Sequence, residues 1–377
     1  MAFCLWEQAL NDMKTVPTTN PKIGIVIPII DSGDHIESFV RRYIESIQCY
    51  GGASQTVLVC NNSPSRFFQK LKKFENEQLT VVDIGNCEHG IGKARNYGLS
   101  LLSDDIQFVS FLDDDDCFIN EAMMSLPEWL DTDADIICFG WQLKEPEKNS
   151  FVHKSLPRAS VVESQYVIDH DLSRYLRLPR DVQFLGYCWG KFYRKSLIDS
   201  VPIRFDENLS TFEDVLYVVR ALSSCGKVKF VDSALLIQNY FTKSIIHKAS
   251  FANFDMGRSL GFTKVAKFIQ ENENLYSPLD GFDKKSLLTR YVGYLFYFSV
   301  LRVCRGDKSH GFWVHFVEAR KQLSQMIEEL DLCKYNVKPE TGESVLIGKL
   351  HRSKFYSLAI AICIFKARRL HDHGTRL

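Results

Sequence analysis

The stretch Phe108-Val109-Ser110-Phe111-Leu112-Asp113-Asp114-Asp115-Asp116-Cys117-Phe118 decides how the chain is read. Its first half is apolar, aromatic and β-branched, which predicts a buried strand. Four carboxylates then end the run. Like charges crowded at a strand end repel one another, and a cation relieves that repulsion. Hard divalent ions take oxygen ligands, commonly one or two carboxylates with substrate phosphates completing the shell. The acidic run therefore points to metal-assisted chemistry on a phosphorylated substrate. The bland alternative is a solvated acidic turn, and the flanking sequence decides between the two.

Upstream, Ile23 to Ile30 is a continuous apolar run, the mark of a strand covered on both faces. Asp31-Ser32-Gly33-Asp34 follows as a turn, and His35 to Cys49 has helical spacing. A second strand, Thr56 to Cys60, ends in Asn61-Asn62-Ser63-Pro64. Arg66 to Glu77 is amphipathic, Leu79 to Ile84 is a third strand, and Lys93 to Leu102 is a helix after Gly90-Ile91-Gly92. Strands alternating with helices at this spacing predict a doubly wound, mostly parallel α/β sheet. Ligands of such sheets bind beyond the carboxyl ends of the strands. Asp31, Asn61, Asn62 and Asp113 to Asp116 all fall there and should line one crevice.

Downstream, Glu121 to Leu130 reads as a helix, Ala134 to Trp141 as a buried strand and the polar Glu145 to Ser160 as a surface loop. Gly186 to Arg194 is aromatic and glycine-rich. Ser210 with Glu213 three residues later has the form of a capping box opening a helix to about Leu222. Asp214 then lies in the first turn, where the helix dipole favours an ionised carboxylate. From about Phe251 only helical patterns follow: Leu260 to Ile269, Leu287 to Val303 and Phe312 to Leu330. Near the end, Lys349, His351, Arg352 and Lys354 precede the apolar Phe355 to Phe365, and Lys366, Arg368 and Arg369 follow. A basic helix with an apolar face suits the surface of an anionic bilayer, its alternative being a terminal helix packed on the domain.

Composition narrows the class. The 377 residues are 45% apolar and 24% charged, ordinary for a soluble globular chain, with a formal net charge of zero. No global field favours nucleic acid. The eleven cysteines lack any C-x-x-C pair and several lie in apolar runs, which predicts reduced thiols rather than a disulfide framework or zinc site. Met1 to Asn20 lacks the form of a signal peptide, and no run reaches the roughly 18 apolar residues of a membrane span. A cytoplasmic protein is expected, with peripheral membrane contact open.

The order of these motifs is informative. His89-Gly90-Ile91-Gly92-Lys93-Ala94-Arg95-Asn96 follows the second strand's polar turn, then Asp113 to Asp116, then Trp189-Gly190-Lys191-Phe192-Tyr193-Arg194, and finally Phe212-Glu213-Asp214. Over roughly residues 22 to 245 the chain resembles the inverting family-2 glycosyltransferases of GT-A fold. It looks most like bacterial members that build capsule, lipopolysaccharide or O-antigen chains.

The resemblance implies a metal-dependent transfer of a hexose or N-acetylhexosamine from a nucleotide-diphosphate sugar to a glycan or lipid-linked glycan. It implies Asp214 as the general base and Asp113 and Asp115 on a divalent metal, Mn²⁺ or Mg²⁺. Pro28, Ile30, Asn61, Asn62, Gly90, Arg95, Asp113 and Asp114 would line the donor pocket; Trp189, Lys191 and Glu213 would meet the acceptor. Members of the family usually carry a carboxylate where Asn61-Asn62 stands. An amide carbonyl can accept from uracil N3–H and an amide NH₂ can donate instead, so uridine is the expected base with others open. The expected organisation is a leader over 1–21 and a catalytic domain over 22–250. Its donor half covers about 22–118 and its acceptor half about 119–250. A helical region, 251–377, follows. Two competing readings are a catalytically inactive scaffold and a nucleotidyltransferase; against the latter, Asp31-Ser32-Gly33-Asp34 is acidic rather than phosphate-cradling.

Overall fold

The computed structural model describes residues 20–29, 36–87, 90–145, 150–177, 182–239, 261–275, 284–306, 310–330 and 356–371. Ile30, the 31–35 turn, His89 and residues 349–355 lie outside them, as does most of the leader.

Strand β1 (Ile23–Ile29) is buried at every position. It pairs in parallel with β2 (Ser54–Cys60) on one side and β4 (Phe108–Phe111) on the other, and β3 (Leu79–Asp83) extends the row beyond β2. A run such as IGIVIPI stays in place because each fully buried aliphatic side chain is worth roughly 1.5–3 kcal/mol over an exposed one. Helix α1 (Ile36–Gln48) contributes Ile36, Phe39, Val40 and Tyr43 to that core. The Tyr43 hydroxyl is satisfied by Thr56 Oγ1 at 2.6 Å. Helices α2 (Ser65–Lys72) and α3 (Gly90–Ser100) complete the alternation that the apolar runs predict, α2 stopping short of the expected Glu77.

Past β4 the chain crosses to the other half of the sheet. The order is β3-β2-β1-β4-β9-β6-β10-β5. Here β5 is Cys117–Phe118, β6 is Ile136–Glu145, β9 is Lys191–Arg194 and β10 is Lys227–Asn239. The central sheet is mostly parallel: β10 runs parallel to β6, while β9 is the antiparallel strand between β4 and β6. Helix α4 (Asn120–Leu130) joins β5 to β6. Strand β10 carries two register shifts against β6, between Val231 and Ala234 and between Ala234 and Leu236.

The expected loop over 145–160 contains a strand. β7 (Ser150–Lys154) folds back on β6 as an antiparallel edge. Its side chains are largely exposed, so no apolar alternation marks it. A short β8 (Val161–Glu163) pairs with β10 and leads into a helical segment, 164–177, whose middle turn Val167–Leu172 is a π-helix. Helices α5 (Lys195–Ser200) and α6 (Glu213–Ser224) follow.

The C-terminal part is helical, as expected: α7 (Gly261–Glu271), α8 (Lys284–Gly306), α9 (Phe312–Leu330) and α10 (Tyr356–His371). Ala319, Leu323, Met326 and Leu330 form the buried stripe of α9. Among the described residues no helix is long and apolar enough to cross a membrane. The nine described cysteines are all thiols.

Candidate active site

The acidic run forms a tight turn beyond β4, in which the Asp116 N–H donates to the Asp113 carbonyl at 3.1 Å. Carboxylate oxygens of Asp113, Asp115 and Asp116 all lie within 4.8 Å of one another. Asn239, at the end of β10, ties the turn to the second half of the sheet. Its backbone N–H donates to Asp116 Oδ1 at 3.0 Å and its Nδ2 to the Asp115 carbonyl at 2.7 Å. Burial raises the pKa of all three acids, and their mutual repulsion raises those of Asp115 and Asp116 further; Asp115 is pushed up to about 7. Desolvated oxygens crowded in this way suit a hard divalent cation, whose charge stabilises the ionised forms. Asp114, half-buried, stands beside them.

A second carboxylate pair faces this turn across one arginine. Arg95, on α3, is 1% exposed. Its Nη2 donates to Asp113 Oδ1 at 2.8 Å, and its Nη1 to Glu213 Oε1 at 3.2 Å and Asp214 Oδ1 at 2.5 Å. The guanidinium lies 5.2 Å over the ring of Phe205, which stacks on Tyr217 at 4.1 Å and meets Phe111 edge-on at 5.0 Å. Burial works against the cation, but Asp214, Asp113 and Glu213 more than offset it and hold it charged. The resemblance places Arg95 in the lining of the donor pocket. The structure turns its guanidinium inward instead, where it joins the acidic turn to the start of α6.

The helix opens later than the expected cap at Ser210. Helix α6 begins at Glu213, with Phe212 as its N-cap in the left-handed region at φ 64°, a residue whose own side chain makes no cap bond. Ser210 stands two residues before that N-cap. Asp214 does lie in the first turn. Glu213 is 7% exposed, and burial and the charge of Asp214 push its pKa up to about 8 against the pull of Arg95.

Two of the expected acceptor residues are turned inward. Lys191 is 3% exposed, and its Nζ donates to the carbonyls of Phe184 at 2.6 Å and Tyr187 at 2.7 Å. The ammonium is spent on a turn of backbone, and burial lowers its pKa. It holds the Gln183–Gly186 turn rather than meeting an acceptor. Glu213 likewise faces Arg95. Trp189 is 4% exposed, edge-on to Trp141 at 5.4 Å and stacked on Tyr187 at 4.4 Å. Tyr187 is the outer member of this stack. Its hydroxyl is raised by burial and by the nearby charges of Asp214 and Asp116. Its only mark in the sequence is its place in the aromatic, glycine-rich stretch Gly186 to Arg194.

At the end of β2 the amides are engaged with the next loop. Asn61 Oδ1 accepts the Cys87 N–H at 3.1 Å, and Asn62 Nδ2 donates to the Cys87 carbonyl at 3.2 Å. Gly90 is pressed against the first of them: a β-carbon there would fall 1.4 Å from Asn61 Nδ2. Pro28 is a buried β1 residue beside Val59. A separate cavity of about 490 Å³, lined in part by Trp141, Lys154, Asp171 and Arg174, shares no residue with the carboxylates.

A mostly parallel sheet with a carboxylate turn at one strand end, facing an acidic helix start, is an α/β architecture of GT-A type. Residues 24–201, a little under half of the chain, match the model of the family described as Glycosyl transferase family 2, and that segment is a domain of the family. The nucleotidyltransferase reading gives way to it. Over 220 residues the chain is 22% identical to the uncharacterized glycosyltransferase EpsJ of Bacillus subtilis (strain 168), covering 58% of this chain and 60% of that protein. It is 27% identical over 203 residues to the minor teichoic acid biosynthesis protein GgaA of the same strain, covering 52% of this chain and 42% of that one. The crystal structure of S. aureus TarS 1–349 in complex with UDP-GlcNAc superposes with a TM-score of 0.64 at 16% identity, over 92% of both chains. The fold is shared along nearly the whole chain, the helices of the C-terminal part included.

Proposed function

We propose that the chain transfers a hexose or N-acetylhexosamine from a UDP-linked donor to a hydroxyl of a bacterial surface glycan, with inversion at the anomeric carbon. One observation carries this reading: Arg95 binds Asp113 of the acidic turn and Asp214 of the helix start with the two ends of one guanidinium. Donor-side and acceptor-side carboxylates are thereby set at a fixed spacing. TarS, of the same fold, binds UDP-GlcNAc, and GgaA is a teichoic acid biosynthesis protein; both agree with a UDP-sugar and a surface glycan.

In this mechanism Asp214 Oδ takes the proton of the acceptor hydroxyl as that oxygen attacks the anomeric carbon. Arg95 orients the carboxylate and Glu213, protonated at neutral pH, stands beside it. Asp113, Asp115 and Asp116 would hold a divalent cation, Mn²⁺ or Mg²⁺, which supplies Lewis-acid stabilisation of the departing diphosphate. Asn239 keeps the turn from spreading. Tyr187, backed by the buried Trp189, offers an aromatic face at the acceptor side. Peripheral contact of the 251–377 region with the cytoplasmic face of the inner membrane belongs to the same proposal; Leu358 and Phe365, exposed on α10, would enter the interface.

The test is a melting-temperature panel of UDP, GDP, CDP and dTDP, each with Mn²⁺, Mg²⁺ or chelator. A ligand that binds only the folded state raises the melting temperature by mass action. A metal-dependent rise with UDP, and transfer lost in Asp115→Ala and Asp214→Asn, are the expected results. No shift with any nucleotide favours the inactive scaffold. Co-sedimentation with anionic vesicles checks the membrane contact.

A further inference from the structure

The turn that delivers Asp214 is held from outside the sheet. Phe212 stands at φ 64°, ψ 7°, a conformation that residues with a β-carbon rarely adopt. Such a residue persists only where its surroundings over-determine it. Here the surroundings are the first turn of α7. The ring of Phe212 meets that of Phe262 edge-on, 5.6 Å between centroids at 76°. Gly261 is pressed onto the same turn: a β-carbon at 261 would fall 2.1 Å from the Thr211 carbonyl oxygen and 3.0 Å from Phe212 Cβ.

Two further contacts fix α7 along the segment. Lys264 Nζ donates to Asp206 Oδ2 at 2.8 Å, and the Arg220 guanidinium of α6 lies 5.7 Å over the Phe268 ring. From Phe212 the chain turns directly into α6. Its carbonyl accepts the Leu216 N–H at 3.0 Å, and the next two residues, Glu213 and Asp214, are those that meet Arg95. The direction in which both carboxylates leave the turn follows from the dihedrals of Phe212.

We propose that α7 is a positioning element of the active site, with Phe212 as the positioning residue: by clamping that residue left-handed through Gly261 and Phe262, it aims Asp214 at the acceptor. This rests on Asp214 being the general base. The helical part of the chain then governs turnover without touching substrate, and its contribution should show in kcat and not in donor affinity.

The test uses the full chain, UDP-GlcNAc as probe donor with water as acceptor, UDP release as the rate, and calorimetry of UDP with Mn²⁺ for the donor site. Displacing a reacting group by about 1 Å costs on the order of 100-fold in rate. Gly261→Ala is expected to lower kcat by roughly 10- to 100-fold while the Kd for UDP stays within about twofold. Phe212→Gly takes the left-handed turn freely but lacks the ring, and is expected to fall alike. Phe212→Tyr, which keeps the ring, should recover most of the rate. If Gly261→Ala does not fold, the Phe212 pair decides. Wild-type kcat in Phe212→Gly overturns the positioning role, as does a loss of UDP affinity parallel to the loss of rate. Asp214→Asn is run alongside. Unchanged turnover there overturns the base assignment itself; lost turnover there with wild-type kcat in Phe212→Gly overturns only the clamp.

Discussion

Glu213 and Asp214, neighbours in sequence, face the same nitrogen of Arg95, at 3.2 and 2.5 Å. One cation cannot neutralise two buried carboxylates and Asp113 as well. Keeping a proton on the more buried of the pair resolves the imbalance, and Glu213 is the one pushed up to about 8. Glu213 thus holds its proton at neutral pH beside Asp214.

The pH dependence of stability follows from that proton. A carboxyl whose folded pKa lies above its unfolded value adds stability that is complete below the unfolded value. That stability is lost as pH rises through about 8. Glu213→Gln keeps the shape and removes the titration. Between about pH 7 and 9 the melting temperature of the wild type should therefore fall more than that of Glu213→Gln, by an amount on the order of 2 °C. Parallel melting curves across that range would refute the protonated Glu213.

Removing the shared cation should be costly. Breaking a buried ion pair on one side leaves uncompensated charge and costs about 3–5 kcal/mol. Arg95→Ala should lower the denaturant midpoint accordingly. Arg95→Lys should be only a partial remedy, because an ammonium cannot present two parallel donor edges to carboxylates on opposite sides. Urea melts of the three proteins rank them: wild type, then lysine, then alanine.

Protons should compete with the cation at the acidic turn. Asp115 is pushed up to about 7 in the absence of metal, so binding of Mn²⁺ must displace protons below that pH. Affinity for Mn²⁺, read by electron paramagnetic resonance of the free ion, should rise several-fold between about pH 6 and 8. Asp115→Asn and Asp116→Asn should each weaken binding and flatten the pH dependence.

Gly90 and Asn61 should be energetically coupled. A β-carbon at 90 falls 1.4 Å from Asn61 Nδ2, a clash that overpacks the site and costs roughly 1–3 kcal/mol. Trimming the partner in Gly90→Ala/Asn61→Ala relieves part of it. The double-mutant cycle should give a favourable interaction of about 0.5 kcal/mol or more; strict additivity would show that the loop moves aside.

Much of the sheet was legible in the residues alone. Ile23 to Ile29 and Val57 to Cys60 are apolar at successive positions because both faces are covered, and that pattern survives without coordinates. The carboxylate turn was legible too, since four aspartates announce themselves. What escaped has physical causes. Arg95 meets carboxylates 18, 118 and 119 residues away, and no local period encodes such pairs. The resemblance implies Lys191 at the acceptor; in the fold its ammonium is taken up by backbone carbonyls, which no local pattern encodes. The helix start lies past Ser210 because the left-handed backbone at Phe212 sets it there, and a phenylalanine side chain gives no sign of that. β7 is an exposed edge, so its sequence looks like a loop.

The bulges of β10 bear on how such chains diverge. β10 advances from Val231 to Leu236 while its neighbour advances only from Phe139 to Trp141, and the slack lets Asn239 arrive opposite the acidic turn. The irregular strand works as a vernier: it converts the fixed ladder spacing of the sheet into the finer offset that Asp116 needs. Length changes are commonly absorbed by surface loops, but a single residue lost between 231 and 236 has nowhere to be absorbed. Lineages descending from this fold should vary freely in what those positions are, and hardly at all in how many there are.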